Sequence, residues 1–224
     1  IDTLSYDEIQ INREFYLSGK KELELLKRIR LSASDSYVRV KNGFATLFDD
    51  VFIGELPFME YTIPVLKAST GKWSRAFFPY DEKGSPLAYE LLSESESVCR
   101  YLEDHAERLL KGRKRSETPD WFLYGRTQAL KDVCILKYAV NTCIKGVGSI
   151  KLTEVPPGCG LYSGLYILPD KGVTFDMLDR IIRNEEFIRY VSLLKNYKSG
   201  GYYTFNSKDL ELYINYKIQL EYGK

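Results

Sequence analysis

The chain has 224 residues, 44% of them hydrophobic and 28% charged, which is the composition of an ordinary globular protein with one large or two small domains. Its formal net charge is only +1, so the whole molecule does not attract polyanions strongly and any nucleic-acid-binding surface must be local. Aromatic residues make up 14% of the chain and include 18 tyrosines, a residue that is common at recognition surfaces.

The four cysteines and the single histidine show neither a C-x-x-C pair nor the spacing of metal ligands. Reduced thiols of this kind fit a cytoplasmic protein best. No apolar run approaches the roughly 18 residues that a membrane span requires, so no membrane association is expected. Because residue 1 is an isoleucine, we expect the chain to be a processed or excised piece of a longer protein.

In chain order, the first clear pattern predicts a helix that begins near Ser18 and ends at 32–36. Short strands follow, and a long helix is then predicted at 97–112. The strands are predicted at 37–40, 45–48, 51–54, 61–67 and 76–80. Pro64 indicates that the strand at 61–67 is an edge strand or a strand end.

In the second half of the chain, a helix is predicted at 175–183, and Asn184 is predicted to cap a further helix whose first turn is acidic. Strands are predicted at 133–139, 149–153, 161–168 and 202–205, with a closing turn or helix at 207–212. Strands dominate without regular βαβ alternation. The sequence therefore predicts an α+β fold with a mixed or mostly antiparallel sheet and a few flanking helices.

The stretch 121–130 combines large aromatic residues with Gly125, Arg126 and Gln128. Gly125 allows the backbone to bend or to approach a partner closely. If the stretch is a strand, Arg126 and Gln128 point to the same side, where together they can grip a base edge or a phosphate. The alternative is a strand whose aromatic residues belong to the core and whose Arg126 is solvated or paired with an acid.

Basic and acidic residues are unevenly distributed along the chain. Residues 61–80 carry Lys67, Lys72 and Arg75 and no acid, and residues 108–115 carry five basic residues and no acid. Runs of this kind are usually solvated faces, and they are also suitable for phosphate contacts.

No motif for catalysis or for cofactor binding is recognisable in the sequence. The glycines at 146–148 lack the third glycine of a dinucleotide loop, and His105 alone gives no nucleophile–base arrangement. Asp49 and Asp50 are more typical of a turn than of a catalytic carboxylate pair. The sequence therefore predicts no catalytic residue, no cofactor and no metal in this chain.

Four motifs, taken in order, resemble those of one family. Residues 42–53 are similar to its segment N-G-x-A-T-L-x-D-x-V-F-I, and residues 63–80 are similar to its next block. Residues 121–130 resemble its signature W-[YF]-x-[YF]-G-R-[ST]-Q-x-L, and residues 198–208 resemble its terminal loop and strand. The family is the C-terminal target-recognition domain of bacterial type II restriction-modification adenine-N6 DNA methyltransferases of the Taq type.

The resemblance implies a single target-recognition domain, 1–224, in which residues 1–17 link it to a missing N-terminal catalytic domain. That domain would bind S-adenosylmethionine and methylate a flipped adenine, so the parent is expected to be an enzyme and this chain alone is not. The expected partners are double-stranded DNA and the methyltransferase domain itself, in the cytoplasm. The residues expected to contact DNA are Lys67, Lys72, Arg75, Tyr124, Arg126, Thr127, Gln128, Lys198 and Tyr202.

Two other functions remain open at this stage. One is a module that binds RNA or protein, which the near-zero net charge favours and a strong preference for single strands would reveal. The other is a small self-contained enzyme that uses Asp50, Tyr124 and Arg126 around a pocket. That function requires a deep cavity enclosing groups with shifted pKa values.

Overall fold

A computed structural model describes residues 4–32, 35–111, 120–170 and 172–223. The helices are α1 (Tyr6–Ile9), α2 (Lys20–Leu31), α3 (Asp49–Phe52), α4 (Tyr89–Ser93), α5 (Glu96–Lys111), α6 (Phe175–Ile182), α7 (Glu185–Leu193) and α8 (Ser207–Tyr222), and single 3₁₀ turns occupy Leu130–Asp132 and Val147–Ser149. The strands are β1 (Gln10–Ile11), β2 (Glu14–Phe15), β3 (Val38–Asn42), β4 (Thr62–Lys67), β5 (Lys72–Phe77), β6 (Lys137–Val140), β7 (Cys143–Ile144), β8 (Leu152–Val155), β9 (Gly160–Tyr162), β10 (Leu165–Pro169), β11 (Tyr197–Lys198) and β12 (Tyr202–Thr204). Within these described stretches, no helix has both the length and the apolar character needed to cross a membrane.

The protein has the predicted α+β fold, with helices beside several small sheets. The strand orders are β1-β2, β3-β10-β6-β8, β11-β12-β7 and β5-β4-β9. Strand β4 pairs antiparallel with β5 and parallel with β9, so this sheet is mixed. The chain divides into two compact units: unit 1 comprises Ile1–Lys41, Val140–Leu152 and Ile167–Lys224, and unit 2 comprises Asn42–Ala139 and Thr153–Tyr166.

Unit 1 is built around helix α8, which packs against α2 and α6. The rings of Tyr190 and Tyr213 stack in its core with centroids 5.1 Å apart. The side chain of Asn184 accepts a hydrogen bond from the Phe187 amide at 2.9 Å, which confirms the predicted cap of α7. Local capping chemistry thus determines where this helix begins.

Two polar side chains of α8 stabilise the edge of strand β3. Asn215 Oδ1 accepts hydrogen bonds from the amides of Tyr37 and Val38 at 2.8 and 3.0 Å. A Glu211 carboxylate oxygen accepts the Val40 amide at 2.7 Å. These side chains satisfy backbone donors that an edge strand would otherwise leave unpaired.

The core of unit 2 is an aromatic cluster. The ring of Tyr124 lies 4.9 Å from that of Phe44, 5.3 Å from that of Phe52 and 5.2 Å from that of Tyr80, measured between centroids. Phe77 stacks on Phe52 at 6.2 Å. Each of these five residues is 5% exposed or less, so the cluster is the apolar centre of the unit.

The strands predicted at 45–48 and 51–54 are wrong. Residues 49–52 form helix α3, whose first turn contains Asp49 and Asp50, and negative side chains stabilise the positive end of a helix. Before it, Leu47 has a φ of 70°, a left-handed conformation that turns the chain out of the extended state. Isolated bridges remain at Phe44, Ala45 and Ile53.

Three other boundaries differ from the prediction because of tertiary context. The strand predicted at 161–168 is interrupted by Ser163, whose φ of 56° separates β9 from β10. The strand predicted at 133–139 begins only at Lys137. The closing element predicted at 207–212 is a longer helix that continues to Tyr222.

Pro64 was predicted to mark an edge strand or a strand end; it lies in a central strand, two residues after the strand begins. Strand β4 is flanked by both β5 and β9, but β9 pairs only with Val65, Leu66 and Lys67. Pro64 precedes this paired stretch, so its lack of an N–H costs no hydrogen bond to β9.

Candidate nucleic-acid interface

Residues 121–130 form a loop and not the strand that was considered for them. The Leu123 amide donates to the Asp120 carbonyl at 3.1 Å, which closes a turn at one end of the loop. The Leu130 amide donates to the Thr127 carbonyl at 3.2 Å and closes a second turn at the other end. Only a short extended piece survives between the two turns.

That short piece is held in place by hydrogen bonds to residues 43–46. The Arg126 amide donates to the Ala45 carbonyl at 3.0 Å, and the Ala45 amide donates back at 3.4 Å. The side-chain amide of Gln128 donates to the Gly43 carbonyl at 3.0 Å. The backbone of the segment is therefore fixed by a neighbouring piece of chain, although the segment is not a strand.

Tyr124 anchors the segment in the core and is only 4% exposed. Its hydroxyl donates to the Phe77 carbonyl at 2.5 Å, and its amide donates to the Tyr80 hydroxyl at 2.6 Å. Burial raises the pKa of Tyr124 well above its ordinary value. The structure thus gives Tyr124, which was expected to contact DNA, a structural position away from the surface.

Gly125 has the predicted role of permitting a close approach, and the partner is Leu47 of the same chain. A Cβ atom at Gly125 would overlap the Leu47 side chain. Leu47 itself is 59% exposed and has a left-handed backbone, an uncommon combination for a leucine. Sequence reasoning missed this residue, because nothing in the sequence distinguishes it from a core leucine.

Arg126, Thr127 and Gln128 are all exposed, as expected for a segment that Tyr124 anchors from below. The Arg126 guanidinium makes no hydrogen bond or ion pair with any residue that the structure describes. Pairing with an acid is therefore not seen in the described part of the chain, whereas an exposed Arg126 beside buried aromatic residues agrees with the alternative of a solvated arginine. The arrangement presents a cation, a hydroxyl and a carboxamide on a fixed backbone.

Lys67 and Lys72 are directly opposite each other in the β4–β5 pair. Like charges in this position repel, which destabilises the hairpin unless an anion lies between them. The Lys67 ammonium also lies 5.8 Å from the ring centroid of Tyr162, its partner in β9. Lys72, Lys67 and Tyr162 therefore form one transverse row, called here the unit 2 row.

The unit 2 row and the Arg126 segment belong to the same neighbourhood of unit 2. Tyr162 bridges to Phe44, and Ala45 bridges to Arg126. Two isolated bridges and the pairing of Tyr162 with Lys67 thus connect the Arg126 segment with the row.

Arg75 is not placed with the two lysines. It pairs with Pro64, an odd number of residues from the Lys67–Lys72 pair, so strand alternation directs it to the opposite face. Its guanidinium donates to the Thr62 hydroxyl at 3.1 Å. Arg75, which the sequence analysis grouped with Lys67 and Lys72, therefore lies on the opposite face of the hairpin from them.

The remaining two expected contacts, Lys198 and Tyr202, lie in unit 1. They are direct partners in the β11–β12 pair. The Lys145 ammonium lies 5.9 Å from the Tyr202 ring centroid, and the register of β12 with β7 extends to place Lys145 opposite Tyr202. These three residues form a second transverse row, called here the unit 1 row. Sequence reasoning did not connect Lys145 with Tyr202, because the register depends on the folded sheet.

The basic run at 108–115 is described only in part. Arg108 pairs with Asp50, and Lys111 pairs with Glu107 on α5. The residues 113–115 lie outside the described part of the chain. The two described cations of this run are thus already engaged by acids.

Asp50, Tyr124 and Arg126 do not assemble around a pocket. Asp50 is exposed and paired with Arg108, whereas the hydroxyl of Tyr124 is bonded inside the core. A shallow depression of about 740 Å³ lies elsewhere in unit 2, between Tyr61 and Arg100. No cluster of histidine, cysteine or carboxylate side chains suited to a metal ion occurs among the residues that the structure describes.

Comparison with known proteins gives no assignment: no protein-family model matches the chain, and a search of curated proteins finds no match.

Proposed function

We propose that the chain reads DNA sequence, as the target-recognition domain of a restriction-modification adenine-N6 DNA methyltransferase. The observation that carries the proposal is the exposed segment 126–128, which backbone hydrogen bonds and the buried Tyr124 hold in place. A binding segment that is already ordered loses less entropy when it meets its partner. The four motifs of the sequence support the same function.

Each side chain of the segment has a group suited to a base edge or a phosphate. The guanidinium of Arg126, which has no partner among the described residues, matches the O6 and N7 acceptors of guanine, or a phosphate. Gln128 keeps one N–H and its carbonyl oxygen after bonding to Gly43, and these groups match adenine. The exposed Leu47 beside Gly125 offers an apolar contact for a thymine methyl group.

Lys67 and Lys72 are proposed as phosphate contacts. Two ammonium groups on directly opposite residues repel each other in the free protein, and a phosphate between them relieves this repulsion. The absence of acids from the sequence 61–80 leaves the positive charge uncompensated along the hairpin. A net charge close to zero is therefore compatible with DNA binding, because the positive charge is concentrated in this hairpin.

Methyl transfer is assigned to a separate catalytic domain. The chain alone is then expected to show no saturable binding of S-adenosylmethionine at micromolar concentration in calorimetry. Saturable binding of the cofactor by this chain would contradict the assignment of methyl transfer to a separate domain. It would favour a self-contained enzyme instead.

The proposal is tested by titrating labelled duplex DNA with the chain between about 50 and about 200 mM salt, a range over which phosphate contacts weaken steeply. Arg126→Ala is expected to reduce binding by about 1–3 kcal/mol and to relax the preference at one base pair if Arg126 contacts a base. If it contacts a phosphate, all sequences weaken alike and the salt slope falls by about one.

Arg100→Ala is the matched control, because Arg100 is an exposed arginine of unit 2 that already pairs with Glu96. Its duplex binding should equal that of the unmodified protein. Arg126→Ala should also leave the melting temperature unchanged, because its side chain has no described partner. Duplex binding that is insensitive to salt, or equal for both variants, would contradict the proposal.

A further inference from the structure

The unit 1 row joins two lysines to an exposed tyrosine across three strands. Lys198 pairs with Tyr202, which is 39% exposed, and the Lys145 ammonium lies 5.9 Å from the centre of the Tyr202 ring. With two strand spacings between Lys198 and Lys145, their backbones are about 10 Å apart. Tyr202 thus lies on the strand between two lysines, one of which has its ammonium near the ring.

The two faces of this small sheet differ. Ile144, the β7 partner of Tyr203, is fully buried, whereas Tyr197, its β11 partner, is 61% exposed, so only the β7 end of that face is directed to the core. The row occupies alternate positions and faces outward, where Lys145 and Lys198 are both exposed. Burial therefore does not account for the position of Tyr202.

The segments that form this sheet carry no acid. Residues 140–152 and 187–208 contain no Asp or Glu, and their exposed cations include Lys145, Lys195 and Lys198, while Arg189 is paired with Glu22. In a chain of net charge +1, this is a marked local excess of positive charge. Such a surface is complementary to phosphate groups.

The turn beside the row is closed by two glycines. Gly200 and Gly201 have φ values of 77° and 78°, a conformation that side chains disfavour. The Lys145 side chain passes 3.7 Å from the point that a Cβ atom of Gly201 would occupy. Because Gly201 has no side chain, the aliphatic part of Lys145 packs against the turn and its ammonium reaches the Tyr202 ring.

We propose that the unit 1 row binds an unpaired nucleotide of DNA, with the Tyr202 ring stacking on the base and Lys145 and Lys198 contacting the phosphates beside it. Aromatic rings on exposed sheets stack on unpaired bases with little regard for their identity, and neighbouring lysines hold the backbone. The inference rests on the proposed function only in choosing DNA. The residues are those of the unit 1 row and the ligand is unpaired DNA, whereas the proposed function concerns segment 126–128 and duplex DNA.

The experiment measures binding of a short labelled oligothymidylate by fluorescence anisotropy. Tyr202→Leu should weaken binding about tenfold, whereas Tyr202→Phe should bind like the unmodified protein, because the ring supplies the interaction. Tyr222→Leu is the matched control, since Tyr222 is 41% exposed on α8 and outside the row. It should bind normally.

Two further measurements separate the base contact from the phosphate contacts. Lys145→Gln combined with Lys198→Gln should reduce the salt slope for the single strand by about 1.4, while Lys21→Gln combined with Arg28→Gln should not change it. An abasic oligonucleotide should bind about tenfold more weakly and should no longer distinguish Tyr202→Leu from the unmodified protein.

Equal binding of oligothymidylate by Tyr202→Leu and the unmodified protein would overturn the inference, as would an equal loss in Tyr222→Leu. If Tyr202→Leu fails to fold, the abasic oligonucleotide and the lysine variants still decide the matter. Arg100→Ala should leave oligothymidylate binding unchanged. Duplex reading is tested with Arg126→Ala on duplex DNA and this inference with Tyr202→Leu on oligothymidylate, so their failures give different results.

Discussion

The two rows contain the same residue types, two lysines and one tyrosine, yet the tyrosines have opposite environments. Tyr162 of the unit 2 row is 7% exposed and stacks on Phe44, with ring centroids 6.4 Å apart. Tyr202 of the unit 1 row is 39% exposed and lies between two strands at the surface. In the first row the tyrosine supports the fold beneath the lysines, and in the second it is available to a ligand.

The difference shows that residue type alone does not indicate a binding role. Burial raises the pKa of Tyr162, as expected for a phenol removed from water, whereas Tyr202 is accessible. The residue on the neighbouring chain segment determines whether the tyrosine is buried. Tyr162 is paired with the apolar Phe44, whereas Tyr202 lies opposite the charged Lys145.

The largest expected effect is on stability. Tyr162→Ala should lower the free energy of unfolding by about 3 kcal/mol, because it removes a buried ring from a packed core. Tyr202→Ala should change it by less than about 0.5 kcal/mol, as is usual for a surface position. Denaturant unfolding of both variants measures the contrast, and equal losses would remove the distinction between the rows.

A buried lysine extends the comparison to pH. Lys137 is 2% exposed, its ammonium donates to the carbonyls of Asp132, Val133 and Ile135, and desolvation lowers its pKa from 10.5 to about 8. Between these two pKa values the unfolded chain binds more protons than the folded one, so stability should rise with pH. From about pH 7 to pH 9, the expected gain is about 1 kcal/mol.

Lys137→Met should abolish that rise, and Lys198→Met should preserve it because Lys198 is exposed. Unfolding curves at a series of pH values provide the measurement. A stability that falls over the same pH range in the unmodified protein, or a rise that persists in Lys137→Met, would contradict a lowered pKa at Lys137.

The smallest expected effect tests the repulsion within the unit 2 row. Lys72→Glu places opposite charges across the β4–β5 pair and should stabilise the protein by about 0.2–1 kcal/mol. The same change should weaken duplex binding and lower its salt slope by about one. Lys83→Glu, an exposed lysine in another turn of unit 2, is the control. Better stability with unchanged DNA binding would exclude the hairpin from the interface.

Elements with strong local signals were predictable from the sequence. Asn184 caps α7 as predicted, because its side chain bonds within one turn of its own helix. The helix predicted at 97–112 corresponds to α5, whose apolar spacing is regular. Residues 51–54 were wrongly predicted as a strand. The prediction used only the run of apolar residues, which shows neither the left-handed backbone of Leu47 nor the helix-stabilising acids in the first turn of α3.

The candidate interface was predictable only in part. A core position for the aromatic residues of 121–130 was one of the two interpretations of the sequence, and the structure favours it for Tyr124, whose hydroxyl is bonded inside the core. Arg126 and Gln128 are exposed, but in a loop and not by the alternation of a strand. The pairing of Lys145 with Tyr202 and the separation of Arg75 from Lys67 depend on strand register. Register is set by contacts between residues distant in sequence, which a single sequence does not display.

The central claim is that the chain reads DNA sequence through Arg126 and its neighbours. The most direct measurement is selection of bound duplexes from a randomised pool, followed by sequencing, for the unmodified protein and for Arg126→Ala. The account predicts enrichment of a defined sequence by the unmodified protein and loss of preference at one base pair in Arg126→Ala, with an unchanged melting temperature. A pool that shows no enriched sequence, or the same enrichment with both proteins, would contradict it.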